Sequence, residues 1–372
     1  MHNQNKIKIC LVAPKAYPLF NPDAKNVKDP FGGSEVGLYL LALELAKDTS
    51  FKVSFITADY GQKDGEIIQN VKIIKSLNFS ENPLSGAIKV RQAMRTANAQ
   101  IYFHTAASWG TFLVALFCRL NDKIFVYRTA HQRECDGSYL KQHYFAGKAF
   151  LWSLRSARQV IVQNKTDKKQ IEQIVAVSPT VIPNGHHLPQ LTESKKDIIL
   201  WVGRSASVKR PELFIDLARQ ITGEKFVMIC PRALGDKKYE QLISRAQTIQ
   251  NLDFIPQVPF HQINEFFQRA KMFVCTSKAE GFPNTYVEAC KWATPILSLY
   301  VNPDNFLTRY ECGMAVSDRW DQFVSQLKLM LEPKEREKYG KNARRYAEQH
   351  HNIETIVQKY KTVFSSLVSP AR

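Results

Sequence analysis

Closely spaced cysteines are missing from this 372-residue sequence: its seven are scattered, with no C-x-x-C spacing and no Cys/His cluster. That pattern argues against a disulfide framework and against a structural zinc site, and free thiols in a reducing cytoplasm fit it best. An uninterrupted apolar run of bilayer length is also missing. Ile101 to Cys118 carries no formal charge, yet His104, Thr105, Ser108 and Gly110 break it up, so it predicts a buried strand, a polar loop and a core helix instead of a membrane span. The start, Met1 to Lys6, is polar and leads directly into the strand-like Ile7 to Val12, which leaves no room for a secretory signal. Neither a D-x-D triplet nor a G-x-G-x-x-G fingerprint occurs.

What is present is the material of a globular protein: 44% hydrophobic and 23% charged residues exclude a mainly disordered chain. The length exceeds one ordinary core and suits two α/β domains. Fifty-one basic against 34 acidic side chains give 51 − 34 = +17, an excess that attracts nucleic acid, anionic lipid or phosphorylated substrates. No familiar nucleic-acid module is visible, and the basic residues are spread over both halves. Arg91 and Arg95 lie one turn apart on a predicted helix, bordering a stripe of Ala87, Val90 and Met94, with Lys89 on the far side. Such a helix suits either a membrane surface or an ordinary solvated face.

Strand-like runs alternate with amphipathic helices, the pattern of parallel sheets covered on both faces. The same opening occurs twice. Ile7 to Ala13 leads through a long loop to Gly32-Gly33-Ser34 and a helix striped by Val36, Leu40, Leu43 and Ala46; Asp197 to Gly203 leads through Arg204 to Arg210 to a helix starting at Pro211, with Leu213, Phe214, Leu217, Ala218 and Ile221 inward. Two such units one domain length apart predict two Rossmann-like domains facing each other across a cleft. The expected domains are 1–185 and 186–352, joined near Pro183-Asn184-Gly185 and the polar Gln190 to Lys196. A last helix, Asn352 to Val368, carries Ile356, Tyr360, Val363, Phe364 and Leu367 on one side, and no sequence rule says which domain receives it.

The most informative stretch is Glu280-Gly-Phe-Pro-Asn-Thr-Tyr-Val-Glu288. Pro283 rules out one continuous helix, so Glu280 is expected on the loop and Glu288 near the first turn of the helix that follows. Two carboxylates so placed can grip different hydroxyls of one ligand. A competing reading makes Thr285 and Glu288 a capping box that merely satisfies the helix start. Upstream, Arg204 and Lys209 are five residues apart on a loop that opens a helix, where an Arg fork and a Lys point charge can close on a pyrophosphate; the alternative is a pair of solvated loop cations. The backbone N–H groups of Phe282 and Asn284 are further candidate donors.

These motifs, in this order, resemble glycosyltransferase family 4, the retaining group with the two-domain GT-B fold. The resemblance rests on Gly32-Gly33-Ser34-Glu35, Val181-Ile182-Pro183-Asn184-Gly185, Trp201-Val202-Gly203-Arg204 with Lys209, and Glu280 with Glu288. It implies that Arg204 and Lys209 neutralise the diphosphate of a nucleotide-sugar donor, that Glu288 holds the ribose and Glu280 the sugar, and that Phe282, Asn284 and Thr285 belong to the same donor-binding segment. It further implies that Gly33 lies under the transferring sugar and that His131 faces it, so that Glu280, His131, Lys209 and Arg204 form the catalytic set. His104 is a second candidate for that place, whereas His186-His187 and His350-His351 read as surface or hinge residues. Departures from the family pattern are Cys230-Pro231-Arg232 and Lys291-Trp292-Ala293 ahead of Thr294-Pro295.

The implied activity is a retaining, metal-independent transfer from a UDP- or GDP-sugar co-substrate, with no further cofactor. The acceptor would be a hydroxyl of a saccharide or lipid-linked glycan, in cell-surface polysaccharide or lipopolysaccharide synthesis. The resemblance also implies a last helix, about 353–368, that crosses back onto the N-terminal domain. A cytoplasmic enzyme peripheral to an anionic membrane would use the basic N-terminal half for contact. Two other classes stand beside this reading: a nucleotide-sugar binding or hydrolysing protein on the same fold, and a basic nucleic-acid-binding protein, which leaves the ordered Glu and Arg/Lys motifs unexplained.

Overall fold

The computed structural model describes residues 6–24 and 31–369; the polar start, Met1 to Asn5, whose reading excluded a leader, lies outside them. The chain divides into two compact units. One runs to Gly185 and resumes at Ile353; the other is His186–Asn352.

In the first unit the strands are β1 (Ile7–Val12), β2 (Phe51–Thr57), β3 (Ile67–Ile68), β4 (Val71–Lys75), β5 (Ile101–Thr105), β6 (Ile124–Arg128), β7 (Gln159–Val162) and β8 (Thr180–Val181). Their order is β3-β4-β2-β1-β5-β6-β7-β8, and every pairing is parallel except β3 with β4. In the second unit β9 (Ile198–Val202), β10 (Lys225–Ile229), β11 (Leu252–Ile255), β12 (Ala270–Cys275), β13 (Ile296–Ser298) and β14 (Gly313–Ala315) form an all-parallel sheet ordered β11-β10-β9-β12-β13-β14. In both sheets the chain starts centrally, moves outward on one side and returns to the other. The order therefore reverses between β1 and β5, and again between β9 and β12. Outside the carboxyl ends of such strands the diverging loops leave a crevice, the usual ligand position in open α/β sheets.

The apolar runs of these strands are continuous because both faces are covered. Along β9, Ile199 and Trp201 join one hydrophobic cluster with Phe214 and Leu217 of the helix Pro211–Gln220, while Ile198 and Leu200 join another with Tyr286 and Val287 of the helix Asn284–Lys291. Pro211 is the first residue of its helix, where its missing N–H costs nothing. Burial of each large side chain contributes about 1.5–3 kcal/mol.

The expected stripe on the first long helix, Gly33–Ala46, is corrected. Val36, Leu38, Leu40, Leu41, Ala42 and Leu45 are buried, whereas Leu43 and Ala46 are half-buried. The cause is cover on two sides, since this helix touches both β2 and the last helix, Ile353–Val368. That last helix also packs Tyr360 (tilted) and Phe364 (edge-on) against Phe103 of β5, at ring distances of 5.8 and 5.9 Å, so the first unit receives it. Ile101 to Cys118 forms β5, a turn in which Ser108 caps through its Oγ, and the helix Trp109–Leu120. Among the described residues no helix is long and apolar enough to cross a membrane.

Candidate active site

Two loops leave the strands at the reversal point of the second sheet. Residues 203–210 follow β9, and residues 276–283 follow β12. Thr276, fully buried, fastens them together: its Oγ1 accepts from Trp201 Nε1 at 3.0 Å and donates to the Lys209 carbonyl at 2.7 Å. Lys278 N donates to Val208 O at 2.8 Å, and Arg210 Nε donates to Thr276 O at 2.7 Å. Arg210 adopts a left-handed backbone (φ +49°) immediately before the helix at Pro211, and its guanidinium also meets Asp318 at 2.5 Å.

This stapling brings the Lys209 ammonium onto the Glu280 carboxylate in a half-buried ion pair. Arg204 is exposed on the same loop. An exposed cation and a cation paired with a carboxylate thus lie on the loops that leave these strand ends, residue types suited to a ligand carrying both phosphate and hydroxyl groups.

Glu288 is not a cap. The helix begins at Asn284 after Pro283, without a side-chain cap bond, which puts Glu288 at the fifth helical position, beyond reach of the free N–H groups of the first turn. It is buried instead. Burial alone would raise its pKa, but the Lys291 ammonium at 2.6 Å and a hydrogen bond from His186 Nδ1 at 3.1 Å outweigh that and hold it at about 2. His186 also places Nε2 3.1 Å from Asn284 Oδ1. The surface reading of two histidines is therefore corrected: His186 is 2% and His351 0% exposed. His351 lies 5.0 Å from the Phe282 ring, which also packs at a tilt on Phe306. Phe282 is consequently a core side chain and offers a ligand only its main chain. Thr285 is half-buried on the first turn. Ala293, in the segment that departs from the family pattern, adopts a left-handed backbone (φ +52°), a conformation glycine adopts more readily.

The first unit holds the other candidates separately. Gly33 is exposed at the start of its helix, whose first turn is closed by Glu35 Oε2 accepting from Gly32 N at 2.9 Å. His104, the next-to-last residue of β5, has Nδ1 2.8 Å from Val12 O, and its buried Nε2 has no hydrogen-bond partner; burial lowers its pKa. His131 follows β6, half-buried, with Nδ1 accepting from Arg133 N at 3.2 Å. The buried Glu134 shapes that loop by accepting from Ala130 N and Tyr127 Oη at 2.9 and 2.7 Å. Gly33 and His131 thus follow β1 and β6, and His104 lies near the carboxyl end of β5, the strand between them.

Two family models match this chain, "Glycosyltransferase Family 4" over residues 31–188 and "Glycosyl transferases group 1" over residues 187–346. The chain belongs to the GT-B glycosyltransferases, of the family 4 type. Among solved structures it is similar to sucrose-phosphate synthase from Thermosynechococcus elongatus (TM-score 0.80, 16% identity, 98% of this chain and 100% of that one). It is also similar to WaaG, a glycosyltransferase involved in lipopolysaccharide biosynthesis (0.70, 13%, 96% and 99%), and to S. aureus TarM solved with fondaparinux, alpha-GlcNAc-glycerol and UDP (0.64, 14%, 75% and 59%). These likenesses show the fold. The comparison with curated proteins found no match.

In this glycosyltransferase, sequence reasoning missed Thr276, Arg210, His186 and Lys291. Thr276 and Arg210 carry no signal of their own, since a threonine at a strand end and a cation beside another are commonplace. Lys291 stood out as a departure from the family pattern, but only the helix geometry turns that departure into a contact with Glu288.

Proposed function

We propose that this glycosyltransferase moves a sugar from a nucleoside-diphosphate donor to a hydroxyl of a saccharide or lipid-linked glycan, with retention at the anomeric carbon. The single observation that supports the donor assignment is the Lys209–Glu280 ion pair at the strand-order reversal of the second sheet, with Arg204 exposed on the same loop as Lys209. There, two cations would balance the charge that develops on the departing diphosphate, as donors aimed at developing charge do in acyl transfer. Glu280, released from Lys209, would accept hydrogen bonds from hydroxyls of the transferred sugar, and Glu288 would hold the ribose. Retention, an acceptor proton taken by the leaving phosphate and independence from a metal ion follow from the family resemblance. In that route catalysis consists of positioning and charge placement.

The basic, partly apolar helix Pro83–Ala97 supports a peripheral contact with an anionic membrane. It exposes Leu84 and Ile88 beside Lys89, Arg91 and Arg95.

A panel of UDP- and GDP-sugars, each incubated with and without saccharide acceptors, tests the transfer. A glycosylated product whose new linkage keeps the donor's anomeric configuration by NMR supports it. Free sugar released equally with and without acceptor points to hydrolysis and overturns it. Flotation with anionic and neutral liposomes tests the membrane contact, which fails if the protein shows no preference for the anionic ones.

A further inference from the structure

Glu288 is part of the motif that carries the family resemblance, and the groups that hold it in place lie partly outside that motif. In this chain the aiming groups are His186 and Lys291. His186 is the first residue of the second unit. Its main-chain N–H donates to His351 O at 2.8 Å, which fixes its backbone to the segment that closes the unit. Its ring spans one turn of the helix Asn284–Lys291, with Nδ1 3.1 Å from Glu288 Oε1 and Nε2 3.1 Å from Asn284 Oδ1. Lys291 approaches the other carboxylate oxygen at 2.6 Å. All three charged or ionisable side chains are at least nine-tenths buried, at 2%, 7% and 8% exposure for His186, Glu288 and Lys291.

Oε1 of Glu288 meets His186 Nδ1, while Oε2 lies buried near the Lys291 ammonium with no hydrogen-bond partner; a carboxylate has the two acceptor oxygens that a vicinal diol requires. A buried carboxylate held from two sides cannot swing, so the entropy of fixing it is already spent before a ligand arrives. We infer that His186 is a positioning residue for donor binding, which orients the Glu288 carboxylate toward the ribose hydroxyls of the nucleoside diphosphate. The inference rests on the donor reading above and adds to it the residue that makes the ribose contact selective.

The test is titration calorimetry of the full chain with UDP, GDP and their 2′,3′-dideoxy counterparts, for the wild type, His186→Ala, His186→Asn and His186→Gln. The wild type is expected to prefer its ribonucleotide by about tenfold or more, the worth of one charge-assisted hydrogen bond. His186→Ala shrinks that preference to about twofold, a fraction of one hydrogen bond, while dideoxynucleotide affinity is unchanged. Asparagine, whose amide reaches the place of Nδ1, restores most of the preference; glutamine, whose amide reaches the place of Nε2, does not. A folded His186→Ala protein with the wild-type preference overturns the inference. If the alanine variant does not fold, equal preferences in the asparagine and glutamine variants overturn it. A wild type that binds ribo and dideoxy forms alike removes the ribose role of Glu288, and a wild type that binds neither nucleotide removes the donor reading itself.

Discussion

Lys209 and Glu280, 71 residues apart in sequence, form an ion pair between the two loops that leave adjacent central strands of the second sheet. Neither side chain is fully buried, at 26% and 12% exposure, so the pair is accessible to a ligand able to compete for both ends. A sugar diphosphate has such ends, an anion for Lys209 and hydroxyls for Glu280.

Lys209→Ala is expected to lower turnover at saturating donor by a factor corresponding to about 2–4 kcal/mol of barrier, the cost of losing one preorganised charge donor. The fold should persist, because a half-exposed ion pair contributes little stability. Turnover like the wild type's, with an unchanged circular-dichroism melt, would remove Lys209 from the catalytic set.

Glu280→Gln keeps the shape of the side chain but loses its charge. Slower transfer or weaker donor binding is expected in steady-state kinetics, together with looser hold on Lys209. Unchanged rate and unchanged donor affinity together would count against the sugar contact.

Thr276→Val tests whether the loop staple positions the site. Valine matches threonine in shape but removes the hydroxyl, leaving the buried Trp201 Nε1 without its acceptor at a cost of about 1–3 kcal/mol. Because Thr276 also holds the Lys209 carbonyl, turnover should drop more than stability explains, up to about 100-fold for a displacement near 1 Å. Comparing turnover with the denaturation midpoint decides this: full turnover in a destabilised variant would make the staple purely structural.

Glu288 makes stability depend on pH. Its pKa in the folded state, about 2, lies below the ordinary value of 4.5. The depressed carboxylate therefore contributes stability that is complete above about pH 4.5 and is lost as pH falls through about 2. Glu288→Gln leaves the buried Lys291 without its counter-charge at neutral pH, a loss of about 3–5 kcal/mol. The gap in urea midpoint between wild type and variant should narrow as pH falls from 5 toward 2.5, within the window set by those pKa values. A gap constant over that range would contradict the assignment.

Much of the fold was legible in the chain. Pro211 at a helix start, the apolar runs of β1 and β9 and the uncharged Ile101 to Cys118 are local signals, because a proline without an N–H and a strand buried on both faces impose their pattern on neighbouring residues. The stripe on Gly33–Ala46 failed for the opposite reason: its second cover is the helix Ile353–Val368, more than 300 residues later in the chain, and no local period records a partner so distant.

By itself, then, the sequence determined two doubly covered, mainly parallel sheets and singled out Arg204, Lys209, Glu280 and Glu288 as candidates, because strand and helix periodicity and loop-borne charge are properties of short segments. Only the tertiary structure decided that Lys209 meets Glu280, that Thr276 fastens their loops, and that Glu288 is a buried acid held by His186 and Lys291 instead of a helix cap. Those contacts depend on strand order and on where one helix turn falls against a remote loop, and a linear pattern contains neither.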